Sequence, residues 1–372
     1  MGKSVAIIGT RGYPSYYGGF ETAVRKLAPY LRQDGWDVSV YSRKNAVRQD
    51  DLQRDVAVQQ IFTRGLEKKS VSTLSYGLTA ALDARRRKPD VALVMNVANG
   101  FFLPLLKRAA IPTLINVDGI EWDREKWGRF AKATFRGGAR ATAKHGTELV
   151  FDSYEIQRRW KQDFGRDGVF IPYGGDVPDR LPVPEGLTHR GYVLVVARFV
   201  PENTIPEFLE AAREISTRWP VVIVGSSGYG GPLEDQIREL ATSSPAVLWP
   251  GHVNDDRYLF ALMQHAGAYF HGHSVGGTNP ALVQAMASGA PIVARDTVYN
   301  REVLGEGGSF ARPEPRAIAT AIEAMISNPR AQEASIDNSS RRREGVYTWE
   351  AVCEAYNQSL HGLLAHKLTL RP

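Results

Sequence analysis

The sequence predicts an α/β protein of two tandem Rossmann-like domains. Its 372 residues fit two domains at roughly 150 residues apiece. Short, wholly apolar runs alternate with amphipathic stretches of helical period, the mark of βαβ units whose strands are buried on both faces. Midway the texture breaks. Pro172, Pro178, Pro182 and Pro184 stand among glycines and charges, as in an interdomain linker, and the alternation then resumes.

Taken in order, residues 5–8 are the first buried strand. Phe20, Val24, Leu27, Ala28 and Leu31 recur at the spacing of one helix face, and Gly35 ends that helix. Residues 38–41, 91–95, 113–117 and 149–151 are further strands of the first domain. Asp152, with Glu155 three residues on, reads as the N-cap of the next helix. Beyond the linker at 172–191, strands fall at 192–197, 221–224, 247–249, 268–271 and 291–294. Helices at 233–241 and 281–288 lie between them, and a last helix covers about 349–365. The domains so drawn are 1–178 and 179–345, with 346–372 a C-terminal helix packing back toward the first. Open parallel sheets bind ligands beyond the carboxyl ends of their strands. Two of them facing each other would bring both binding edges to one interdomain cleft, a geometry suited to a reaction between two substrates.

Hydrophobic residues make up 43% and charged residues 23%, which excludes a disordered chain. The single cysteine, Cys353, excludes an internal disulfide and a zinc cluster. It reads as a small buried hydrophobe in a reducing compartment. The formal net charge of +6 points to an anionic partner without choosing among nucleic acid, phosphate and lipid headgroups. Met1-Gly2-Lys3 runs straight into a strand, so no secretory leader is expected. The longest apolar stretch, 97–106, is interrupted by Gly100 and Pro104 and falls short of the roughly 18 residues of a spanning helix. A cytoplasmic protein, at most lying on a membrane, is the expectation.

Three stretches have the makings of an anion site. Gly9-Thr10-Arg11-Gly12-Tyr13-Pro14-Ser15-Tyr16-Tyr17-Gly18-Gly19-Phe20 spells neither G-x-G-x-x-G nor a Walker loop. The next strand ends in Ser42-Arg43 rather than in an acid that would grip a ribose. Gly18 and Gly19 precede a helix with no Ser, Asp or Asn cap, so its first amides are open to a phosphate or sugar oxygen, with Arg11 adding charge. Two glycines in a plain turn are the alternative. His271-Gly272-His273-Ser274-Val275-Gly276-Gly277-Thr278-Asn279-Pro280 lies between a strand and a helix. Pro280 suits the first helical position and Asn279 or Thr278 the cap. Gly276 and Gly277 let the backbone approach a ligand. This reads as a diphosphate cradle, against a long loop that only turns the chain. His271 and His273 lack a third ligand at suitable spacing, and no metal is expected. Arg198 ends the first strand of the second domain, where ligands sit, unless it is a surface ion-pair partner.

Together these stretches, with Val117-Asp118-Gly119-Ile120-Glu121-Trp122 and Pro201-Glu202-Asn203, resemble retaining glycosyltransferases of the GT-B fold, in glycosyltransferase family 4. Within it they resemble the rhamnosyltransferase-like subgroup that builds bacterial surface polysaccharides. The resemblance spans nearly the whole chain. It implies that the second domain binds a nucleotide sugar and the first the acceptor. A sugar, with L-rhamnose from a dTDP donor the first choice, would pass to a saccharide or polyprenyl-linked acceptor with retention. No D-x-D sequence is present, so no metal or other cofactor is expected. Donor-binding roles then fall on Arg198, Asn203, Gly276, Gly277, Thr278, Asn279 and Gln284. Acceptor-binding roles fall on Arg11, Gly18, Gly19, Phe20, Glu121 and Trp122, whose indole face suits a sugar ring. Asp118 and Arg198 are the catalytic candidates. The carboxylate would orient the acceptor hydroxyl or act as base, and the guanidinium would take the developing charge of the leaving diphosphate. An N-cap or turn role is the alternative for Asp118. The chain departs from the family pattern at three places: Asn203 stands for a lysine, Gly276 and Gln284 for glutamates. Gln284 can still meet a ribose through its amide oxygen, and Gly276 leaves room for a deoxysugar methyl group.

Arg124, Lys126, Arg129, Lys132, Arg136, Arg140 and Lys144 recur with Trp127, Phe130 and Phe135 among them. An interfacial helix on anionic lipid and a solvated face over a buried aromatic side are equally open readings. No nucleic-acid recognition motif accompanies these charges, so nucleic acid is not an expected partner. The rival functions are a nucleotide-sugar epimerase of the same fold and a catalytically degenerate nucleotide-sugar-binding protein.

Overall fold

The computed structural model describes residues 2–369 apart from Tyr17, Gln49, Gln53, Lys68, Glu125, Lys126 and Tyr229, and without the side chains of 69–71 and 368–369. Tyr17 of the first loop and Lys126 of the basic segment therefore lie outside the described residues. The chain forms two compact units, one running to Tyr173 and resuming at Trp349, the other Gly174–Thr348.

The first unit is built on a parallel sheet of seven strands: β1 (Lys3–Ile8), β2 (Trp36–Ser42), β3 (Gln59–Phe62), β4 (Val91–Met95), β5 (Thr113–Asn116), β6 (Glu148–Phe151) and β7 (Val169–Phe170). Their order is β3-β2-β1-β4-β5-β6-β7. Val5 pairs with Val38 on one side and Val91 on the other, so the strand order reverses at β1. Ligands of open sheets collect at the carboxyl side of such a reversal. Strand β3 and the helix Lys69–Arg87 fill the interval between the strands foreseen at 38–41 and 91–95. Only Ile61 of β3 is buried, so no apolar run announces it. The cap before the helix Tyr154–Phe164 is Ser153, not Asp152. Its Oγ accepts from the amides of Glu155 and Ile156 at 3.1 and 3.5 Å, while Asp152 is buried ahead of it.

The last helix, Trp349–Thr369, packs on the first unit. Val352, Tyr356 and Leu360 join the core of Val24, Leu27 and Trp36. The Trp36 indole donates to Asn357 Oδ1 at 2.9 Å. Cys353 sits in the same core, and burial pushes its thiol up to about 12.

The second unit holds β8 (Val193–Val196), β9 (Val221–Val224), β10 (Val247–Gly251), β11 (Ala268–His271), β12 (Ile292–Arg295) and β13 (Ser309–Ala311). They form one parallel sheet in the order β10-β9-β8-β11-β12-β13. Both faces are covered. Phe208 stacks on Phe270 at 5.3 Å on one side, and Tyr192, Leu262, Leu282 and Met286 fill the other. Gly175 bridges Thr348, closing the unit where the chain enters and leaves it. Among the described residues, no helix is long and apolar enough to cross a membrane.

Candidate functional site

In the second unit the loops after β8, β11 and β12 are tied into one network. Asn203 Nδ2 donates to the Arg198 carbonyl at 2.7 Å, and its Oδ1 lies 2.6 Å from His273 Nδ1. Because that oxygen accepts, His273 carries a hydrogen on Nδ1. Thr204, at φ +57°, donates to the Gly272 carbonyl at 2.6 Å and accepts from Arg295 Nη1 at 2.9 Å. Asn300 Nδ2 donates to the carbonyls of His273 and Arg295. Arg198 itself is exposed, and among the described residues no acid pairs with it.

The following loop leads to a helix N-terminus. Asn279 Oδ1 accepts from the Ala281 amide at 2.9 Å, and Pro280 opens the helix Pro280–Ala287. Thr278 and Gly276 are buried beside it, with Gly277 half-buried. Gly276 has φ +94°. A glutamate, the residue that the resemblance implies, would be strained in this backbone. Gln284 has work elsewhere. Its Oε1 accepts from the Asp176 amide at 3.0 Å and its Nε2 donates to the Asp176 carbonyl at 2.8 Å. A ribose contact would fall to the second lone pair of Oε1. His271 is buried, and burial holds its imidazole down at about 3, hence neutral. Its Nε2 meets no partner among the described residues. Among those residues no group of three His, Cys, Asp or Glu could hold a metal. A cavity of about 480 Å³ in this unit, beside Arg190, His265 and Gly289, precedes β8, β11 and β12 and so lies at the wrong end of the sheet for this site.

In the first unit, Asn96 follows β4 and Asp118 follows β5, with φ of +70° and +63°. Asn and Asp are among the non-glycine residues that take positive φ most readily. Asn96 Nδ2 donates to Asp118 Oδ2 at 3.2 Å. The Asp118 amide donates to Asn116 Oδ1 at 2.9 Å, and Asn116 Nδ2 donates to the Tyr356 hydroxyl at 2.7 Å. Burial, then the charges of Asp118 and Asp152, hold the Tyr173 phenol well above its ordinary value. Sequence reasoning missed Asn96 and Tyr356. A polar residue directly after an apolar strand was a usable signal for the first, and nothing local marks the second.

After β1, the Arg11 amide donates to Glu21 Oε1 at 2.9 Å. Gly18 is extended and the helix Gly19–Gln33 begins without a side-chain cap, while Phe20 packs against the core. Glu121 and Trp122, expected at the acceptor, are placed otherwise. Glu121 is 5% exposed. Its Oε1 lies 2.6 Å from Arg124 Nε, an ion pair off the line of an aligned hydrogen bond, and its Oε2 accepts from the Trp127 indole at 2.7 Å. Trp122 meets Trp160 and Phe164 edge-on at 6.4 and 5.8 Å. It is enclosed by aromatic neighbours and offers no open face to a sugar. Arg124 is likewise buried and leaves the basic stripe. What remains on the helix Arg129–His145 is an exposed row of Arg129, Arg136, Arg140 and Lys144, with Phe130 84% exposed at its start.

Residues 183–342 match the family described as glycosyl transferases group 1. That match lies within the second unit. Residues 2–176 match a domain of unknown function, DUF1972. A phosphatidyl-myo-inositol mannosyltransferase of Mycolicibacterium smegmatis is 29% identical over 53% of this chain and 53% of its own. An MMP α-(1→4)-mannosyltransferase of Mycolicibacterium hassiacum is 27% identical over 49% of this chain and 45% of its own. The chain thus spans about half the length of these curated relatives. Among solved structures, the sucrose-phosphate synthase of Thermosynechococcus elongatus superposes with a TM-score of 0.81 at 18% identity, over 98% of this chain and 100% of that one. HepE of Anabaena, in complex with UDP-glucose, gives 0.72 at 15%, over 97% and 100%. The two parallel-sheet α/β units are those of the GT-B fold.

Proposed function

We propose that this chain is a glycosyltransferase that moves a sugar from a nucleoside diphosphate to a hydroxyl of a saccharide or lipid-linked saccharide, with retention and without metal. The observation that carries the reading is Arg198, exposed and without an acid partner among the described residues, beside a capped helix N-terminus in a group 1 domain. A guanidinium and N-terminal amides together suit a diphosphate. In the reaction the bond from the sugar's anomeric carbon to phosphate oxygen breaks and a bond to the acceptor oxygen forms. Negative charge gathers on the diphosphate, where Arg198 and the amides around Gly277, Thr278 and Asn279 stabilise it. The acceptor hydroxyl enters on the face the diphosphate leaves. Its proton goes to a phosphate oxygen, with Asp118 orienting the hydroxyl.

For the donor, the motifs at 9–22, 117–122 and 271–280 favour L-rhamnose on dTDP, and the names of the relatives favour mannose. Transfer assays with dTDP-L-rhamnose, GDP-mannose and UDP-glucose, with the anomeric configuration of the product read by NMR, test both points. Inversion, or no transfer from any nucleotide sugar that binds, defeats the reading. Turnover of the donor without acceptor would favour the epimerase instead. The exposed row from Arg129 to Lys144, with Phe130, supports a peripheral place on an anionic cytoplasmic membrane that carries the acceptor. Absence of co-sedimentation with anionic vesicles at moderate salt defeats that part.

A further inference from the structure

Arg43 follows β2 at the carboxyl edge of the first sheet and is a buried cation with no ion-pair partner among the described residues. The residue is 9% exposed, and its Nε meets no partner among the described residues. Nη1 reaches Ser72 Oγ only at 3.4 Å, and the guanidinium lies 4.8 Å from the centre of the Tyr76 ring. The nearby carboxylates are committed. Glu67 accepts from the Tyr76 hydroxyl at 2.7 Å, and Glu21 accepts from the Arg11 amide at 2.9 Å. Residues 68–71, whose side chains are not described, include no acid. Burial first, and then the charge of Arg11, pull the Arg43 guanidinium below its ordinary range. Holding a cation out of water is costly unless an anion compensates it.

The same guanidinium borders a small pocket of about 10 Å³, room for one water-sized group, open to solvent on one side and lined by Thr10, Thr63 and Thr73 among others. A cation that no carboxylate pairs with among the described residues, beside threonine hydroxyls, is the donor set of an oxyanion. The enclosed space takes one oxygen atom of an anion, the rest of the group lying at the open side, and is too small for a nucleotide sugar. It also lies at the sheet edge where open parallel sheets take ligands.

We propose that this pocket binds an oxyanion, the carboxylate or phosphate group of an acidic acceptor, through Arg43. The assignment of that oxyanion to the acceptor rests on the glycosyltransferase reading; its binding does not. Calorimetry on the full chain, with glucuronate, inorganic phosphate and glucose as probes, tests it in wild type, Arg43→Gln, Arg43→Lys and Arg198→Gln. Wild type binds an oxyanion and not glucose. Arg43→Gln weakens glucuronate binding about tenfold or more, Arg43→Lys retains part of it, and Arg198→Gln leaves glucuronate binding unchanged, removing at most the share of phosphate that binds in the second unit. Glucuronate favoured over phosphate assigns a carboxylate, and the reverse a phosphate. Binding kept in Arg43→Gln but lost in Arg198→Gln places the anion in the second unit and overturns the proposal. If Arg43→Gln does not fold, the wild-type and Arg43→Lys titrations decide. No preference for oxyanions over glucose, or equal affinity in the two proteins, overturns it. Sugar transfer with no oxyanion binding sinks this proposal and spares the proposed function; oxyanion binding at Arg43 without transfer does the opposite.

Discussion

Replacing Arg124 by glutamine should lower the melting temperature of the first unit steeply and leave vesicle binding alone. Arg124 and Glu121 form a pair whose side chains are 11% and 6% exposed. Without the guanidinium, the Glu121 carboxylate keeps one described donor, the Trp127 indole at 2.7 Å. Breaking one side of a buried pair costs about 3–5 kcal/mol, and the surviving indole bond puts this case near the low end, about 3 kcal/mol. A unit of roughly 200 residues loses about 2–4 °C per kcal/mol, hence about 6–12 °C here. The double variant Glu121→Gln/Arg124→Leu strands no charge and should recover most of that loss. Thermal unfolding followed by tryptophan fluorescence and circular dichroism is the assay. An Arg124→Gln protein melting within about 2 °C of wild type would refute the buried-pair argument. So would a clear loss of vesicle binding at unchanged stability. Arg136→Gln/Arg140→Gln is the opposite control, with weaker vesicle binding by about 1 kcal/mol per charge and little change in melting.

Tyr356→Phe removes the hydroxyl that holds Asn116. It should lower kcat severalfold with donor KM unchanged, at a stability cost of about 1 kcal/mol; equal kcat in steady-state assays would detach the C-terminal helix from the role proposed for Asp118. Asn203→Ala frees both the Arg198 carbonyl and His273, so donor KM should rise about tenfold, and an unchanged KM would count against this network as the donor site. Burial holds His271 at about 3, far below the histidine value near 6.5. The unfolded chain therefore binds the extra proton between those two values, and this contribution to stability is full above pH 6.5 and falls as the pH drops toward 3. Urea unfolding across that range should show a shallower acid slope in His271→Gln; an identical slope would contradict it.

Strands β1, β4 and β9 were legible because a parallel strand covered on both faces must be apolar along its length. The edge strand β3 was not, since one buried residue, Ile61, leaves no pattern. The helix cap at 153 was misplaced by one residue because Asp and Ser are both good caps and only the backbone chooses between them. At the site, the Asn279–Pro280 helix start and the place of Arg198 follow from local rules. Glu121 and Trp122 do not, because a turn after Ile120 carries both side chains inward to Arg124, Trp127 and Trp160. Arg43 was read only as the lack of a ribose-binding acid, and its burial is a property of the fold.

The helix Trp349–Thr369 has a consequence for how the protein is made. The seat for Val352, Tyr356 and Leu360 is built from residues near the start of the chain, and the bond from Trp36 to Asn357 joins positions 321 apart. On a ribosome the first unit waits, its apolar groove uncovered, while the whole of the second unit is synthesised. A fragment ending at Tyr173 would keep every strand of its sheet and still present that groove to solvent, which makes it a poor independent domain and a ready client for chaperones.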